Sequence, residues 1–82
     1  MDNSVWLKRR YFRMGRKDIA YLRFILESYD GLAFQRTLDS AAGLVEVLWP
    51  ATRTRDVEVL LTALGKELAW SEVQPPEVIP PF

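Results

Sequence analysis

Neither cysteine nor histidine occurs among the 82 residues, and this limits what the chain can fold into more than any other feature. No disulfide and no Cys/His zinc site can staple the structure, so a domain of this size must be held by side-chain packing alone. At this length folding buries roughly 60–65% of the unfolded surface. A net stability of about 4–12 kcal/mol follows from the usual per-residue range. Hydrophobic residues are 49% of the chain and charged residues 27%, a balance that supplies a core and argues against disorder. The same two absences remove the thiol nucleophile and the imidazole base, so no enzyme, no metal site and no cofactor are expected.

Two segments carry helical periodicity. From Arg16 to Tyr29, apolar residues fall at Ile19, Leu22, Ile25, Leu26 and Tyr29, with Arg23, Glu27 and Asp30 opposite. Tyr21 and Phe24 widen the apolar side, which predicts a well-buried helix lying across a sheet. Gly31 follows as a left-handed stop. From Thr54 to Leu68, residues Val57, Leu60, Leu61, Leu64 and Leu68 form a second amphipathic stripe. Thr52 or Thr54 is its expected N-cap, and Asp56 lies in its first turn.

Strand signals lie before and between them, at Lys8 to Met14, Leu32 to Leu38 and Leu44 to Trp49. Asp39 to Gly43 has the length and the terminal glycine of a hairpin loop, so the second and third strands should pair antiparallel. Ala69 to Val73 offers a short fourth strand. Strand, helix, strand, strand, helix and a short strand make a ferredoxin-like split βαβ sandwich of the α+β class, with two helices on one face of an antiparallel sheet. The domain is expected over residues 5–73, with an extended proline-rich tail over 74–82 holding four of the five prolines. Trp49 is expected in the core, and Trp6 and Trp70 at the edges, where the tail could pack on them or pass to a second subunit.

Arg10-Tyr11-Phe12-Arg13, Arg16-Lys17-Asp18-Ile19-Ala20-Tyr21-Leu22, Phe24-Ile25-Leu26-Glu27, Tyr29-Asp30-Gly31-Leu32, Thr37-Leu38-Asp39 and Gly43-Leu44-Val45 resemble a family of short bacterial single-domain proteins catalogued only as a domain of unknown function. The likeness covers roughly residues 9 to 68 and implies no activity. At the level of fold alone the layout is similar to ACT-like regulatory domains and to RNA-recognition motifs.

Three groups of residues could carry a function. Lys8 to Lys17 holds six cations and no acid, with Tyr11 and Phe12 interleaved. Arg9, Arg10, Tyr11 and Arg13 therefore form a candidate nucleic-acid face. Strict alternation places Arg9, Tyr11 and Arg13 on the uncovered side, with Phe12 and Met14 turned to the core. The RNA-recognition pattern is incomplete, because Leu44 to Trp49 has aliphatic residues and Glu46 where aromatics would stand. Leu44, Glu46 and Leu48 share the uncovered side if Val45, Val47 and Trp49 face the helices, which makes them a candidate subunit interface. Gly15, Arg16, Lys17 and Asp18 open the first helix and form a candidate small-anion site, placed near the effector position of ACT-like domains. The carboxylates converge on no catalytic arrangement.

The formal net charge is zero, but the balance is uneven along the chain. Residues 1–41 carry eight cations and five acids, and residues 42–82 carry three and six. That asymmetry supplies complementary charge for self-association and argues against a general polyanion binder. The expected partner is a second copy, most simply in a dimer, then a small-molecule ligand, and less favourably nucleic acid. No apolar run approaches the ~20 residues that span a bilayer, and no signal peptide is visible at Met1 to Ser4. A cytoplasmic protein without a membrane partner is expected.

Overall fold

The computed structural model describes residues 7–29 and 31–77. The elements run β1 (Leu7–Arg13), α1 (Arg16–Ser28), β2 (Phe34–Asp39), β3 (Leu44–Pro50), a 3-10 turn (Ala51–Arg53), α2 (Thr54–Leu64) and β4 (Ser71–Val73). The strands form one antiparallel sheet in the order β2-β3-β1-β4. Each helix thus carries the chain past a strand that is filled from the other half of the sequence, which is the ferredoxin-like split βαβ arrangement.

Both helices cover the same face. Phe12 and Met14, then Val45, Val47 and Trp49, meet Leu22 and Leu26 of α1 and Val57, Leu61 and Leu64 of α2 in one buried cluster. Each such side chain contributes about 1.5–3 kcal/mol when fully removed from water. The Phe12 ring stacks on Trp70 with centroids 4.2 Å apart, which fastens the approach to β4 onto the core.

The helices differ from their sequence pattern in two ways. Only Leu22 and Leu26 of α1 are fully buried, while Tyr21 is 38% and Phe24 66% exposed. A single sheet accepts one stripe of a helix, so the apolar side chains beyond that stripe stay outside. The helix is therefore not the deeply buried one its composition predicts. α2 ends at Leu64 rather than Leu68, with Gly65 at its C-cap. Leu68 still reaches the core across the next turn, where its N–H donates to the Leu64 carbonyl at 2.8 Å.

Neither threonine caps α2. The N-cap is Arg53, with no side-chain hydrogen bond. Thr54 Oγ1 instead donates to the Ala51 carbonyl at 2.8 Å and accepts from Trp49 Nε1 at 3.0 Å, tying β3 to the turn that follows. β2 begins at Phe34, because Leu32 and Ala33 are both buried in the approach to it.

The β2–β3 hairpin closes as its residues require. Ala42 N–H donates to Asp39 Oδ1 at 3.1 Å, and Gly43 takes φ +70. Met14 N–H donates to the Gly43 carbonyl at 3.0 Å, so the loop is bonded to the end of β1. A Cβ on Gly43 would lie 2.1 Å from the Met14 carbonyl oxygen, which excludes any side chain there without movement of the backbone. Trp6, the start of the expected domain at residue 5, and tail residues 78–82 lie outside the described residues.

Candidate functional site

The strand register decides which side chains share the face that no helix covers. Arg9, Tyr11 and Arg13 of β1 stand opposite Leu48, Glu46 and Leu44 of β3. Phe34 and Arg36 of β2 stand opposite Leu48 and Glu46, and Val73 of β4 stands opposite Tyr11. Side chains paired across antiparallel strands lie on one face, so these residues share the side of the sheet away from the described helices, where Tyr11, Glu46 and Leu48 are nonetheless buried. The candidate interface and three of the four candidate nucleic-acid residues therefore meet.

Arg10 is not among them. It projects on the helix side, where Nε donates to Glu72 Oε2 at 2.9 Å and Nη1 donates to both Glu58 oxygens at 3.1 and 3.2 Å. Its Nη2 also pairs with Glu72 at 2.5 Å, and the guanidinium lies 5.5 Å from the centre of the Phe12 ring. This fork links β1, β4 and α2, a positioning role. The Arg10 hydrogen bond holds the Glu72 carboxyl below its usual range.

At the centre of the uncovered face sits Glu46, with its side chain wholly buried. Tyr11 Oη donates to Oε2 at 3.0 Å, and Arg36 Nε donates to Oε1 at 3.2 Å. Arg9 Nε lies 3.6 Å from Oε2. A carboxylate under two guanidinium groups and a phenol is a satisfied, rigid polar centre, and its neighbours close over it. Burial first, then the hydrogen bond and charge of Glu46, raise the pKa of the Tyr11 phenol above its ordinary value. Tyr11 itself is only 5% exposed, so its ring is not offered for stacking. Phe34, 54% exposed, is the aromatic ring that this face does offer.

Gly15 to Asp18 form the first turn of α1, with the Asp18 and Ile19 N–H groups both donating to the Gly15 carbonyl at 3.1 and 3.0 Å. Asp18 already places an acid at this positive helix end, which weakens the case for an added anion. Three cavities on the described surface are lined by other residues. The largest, of about 570 Å³, lies between α1 and the outer edge of β2 and is lined by Arg23, Leu26, Glu27, Ala33, Phe34 and Gln35, together with Gly31. Both amide atoms of Gln35 are buried with no hydrogen-bond partner among the described residues. Leaving such a group unpaired costs about 1–3 kcal/mol.

Sequence reading passed over Arg23, Glu27, Gln35 and Arg36 as site residues. Arg36 stands beside Glu46 only because the β2–β3 register shifts between Thr37 and Asp39; carried on from Asp39 and Leu44 without that shift, the pairing would set Arg36 opposite Val47. The Gln35 amide has no sequence signature either, because its isolation arises only from its position at a sheet edge beneath a helix.

Among the described residues no group of three or more acids gathers to hold a metal ion. No helix among them is long and apolar enough to cross a membrane. No curated protein and no solved structure matches the chain. A family model does match, over residues 12–68, and the chain belongs to that family, described as a domain of unknown function (DUF4911).

Proposed function

We propose that this domain is a non-catalytic binding module that associates with a second copy of itself through its sheet. The observation that carries the reading is the contrast between the two sheet edges. β4 has three residues and runs into Pro75 and Pro76, which lack donors and blunt that edge. β2 has six residues, no proline, and both the exposed Phe34 and the unpaired Gln35 amide within it. The uncovered face fits a homodimer less well. Glu46 and Leu48, two of its three candidate contact residues, are already buried within the single chain, and Arg9 and Arg36 are engaged with Glu46. Sedimentation of the purified chain across a concentration series tests the reading. A species heavier than the monomer supports it, and a monomer at every concentration overturns it.

A second reading is association with nucleic acid, supported by Arg9, Arg13 and Phe34 on one uncovered face. Binding to a random RNA pool should then weaken steeply as salt rises, because phosphate contacts release counterions. No retained RNA at ~50 mM salt overturns this reading.

A further inference from the structure

We infer that two copies join along β2, in antiparallel pairing about a two-fold axis at Gln35, so that the two sheets run on as one. This places the contact that the proposed self-association requires, and it rests on that reading.

The phase of the backbone bonds comes first. Arg13 stands opposite Leu44, so the Met14 N–H bond to the Gly43 carbonyl continues the β1–β3 ladder by one pair. Hydrogen-bonded and non-bonded pairs alternate along an antiparallel ladder. Val45 and Val47 therefore direct their backbone groups at β1, and Leu44, Glu46 and Leu48 direct theirs at β2. There they meet Phe34 and Arg36. The residue between these two, Gln35, points its N–H and carbonyl outward, along the side of β2 that has no neighbouring strand among the described residues. Thr37 follows the same phase. A register centred on Gln35 sets Gln35 against Gln35 of the partner subunit, exchanging two backbone bonds.

The side chains argue for a second copy rather than a foreign strand. A primary amide carries one donor side and one acceptor, and it pairs with its own kind when turned by a half rotation. A turn about the Gln35 side-chain torsions brings its two unpaired atoms to such a partner. Arg23 and Glu27 stand four residues apart on α1 and line the same cavity as Gln35. Antiparallel approach brings Arg23 to Glu27 of the partner subunit, and the two-fold axis repeats the pair. Equal and opposite charges at one helical spacing are what a self-complementary surface needs. A foreign strand could pair with the backbone edge but would not call for that symmetry.

Charge exchange tests the contact. Arg23→Glu gives two acids facing two acids across the axis, and Glu27→Arg gives two bases facing two bases. Each variant alone should associate roughly tenfold or more weakly than the unaltered chain. An equimolar mixture of the two restores both ion pairs and should recover the original association. Circular dichroism of each variant checks that the fold is kept. If the unaltered chain stays monomeric, the self-association reading itself fails. If it dimerises and the variants dimerise equally well, alone and mixed, self-association stands and the β2 contact is overturned.

Discussion

Replacing Gly43 by alanine isolates the tightest backbone approach in the fold. Two separate costs attach to the change. The residue sits at φ +70, where a side chain costs about 1–2 kcal/mol. The new Cβ would also stand 2.1 Å from the Met14 carbonyl oxygen, well inside contact distance, so the hairpin loop must move away from β1. That movement weakens the Met14 N–H bond to Gly43, a further loss of about 0.5–1.5 kcal/mol, and disturbs the packing of Met14. The sum is about 2–4 kcal/mol. For a domain of this size it lowers the melting temperature by roughly 10–30 °C. Gly31→Ala is the matched control, with φ +72 and no atom within 4 Å of the added carbon. It should cost only the conformational part, about 1–2 kcal/mol. The gain from a stiffer unfolded chain is common to both variants and cancels in their difference. Thermal unfolding followed by circular dichroism, with urea titration beside it, reads that difference. Equal melting temperatures for the two variants would refute the reasoning, because they would mean that the loop does not press on Met14.

Two further predictions concern protonation and separate the two polar centres. The folded state holds the Tyr11 proton more tightly than the unfolded chain, so its contribution is complete below about pH 10 and is lost as pH rises through the raised folded value. Tyr11→Phe should flatten the alkaline limb of stability measured by urea unfolding, and an unchanged limb would contradict the Glu46 contact. Glu72 behaves in the opposite sense, since its depressed folded pKa gives stability that is present above about pH 4.5 and lost as pH falls through the folded value. Glu72→Gln should flatten the acid limb while leaving the alkaline limb alone. Partial exposure of the Arg10–Glu72 pair keeps that effect small and sensitive to salt.

The sequence pattern carried the topology well, and the reasons for its shortfalls are physical. Alternation in β1 and β3 separated Phe12, Val45 and Val47 from Arg9, Tyr11 and Glu46, because each of these strands has one face in the core. β2 was harder to orient. Leu32, Phe34 and Leu38 alternate like a core face, yet Leu32 is buried before the strand begins, and the register shifts between Thr37 and Asp39. Phe34 consequently lies on the uncovered face. α1 carries more apolar side chains than one sheet can cover, so a periodicity that marks the helix does not tell which of its aromatics are buried. The candidate site was legible to the same degree. Alternation grouped Glu46 with Tyr11 and Arg9, but the closing of Arg36 over the carboxylate depends on strand pairing, and the isolation of Gln35 depends on where the sheet stops.

The most direct test of the account is the mass of the intact chain in solution, measured by sedimentation equilibrium over a wide concentration range. Self-association through the sheet predicts a concentration-dependent approach to twice the 9.5 kDa chain mass. A mass of 9.5 kDa at every concentration would contradict it.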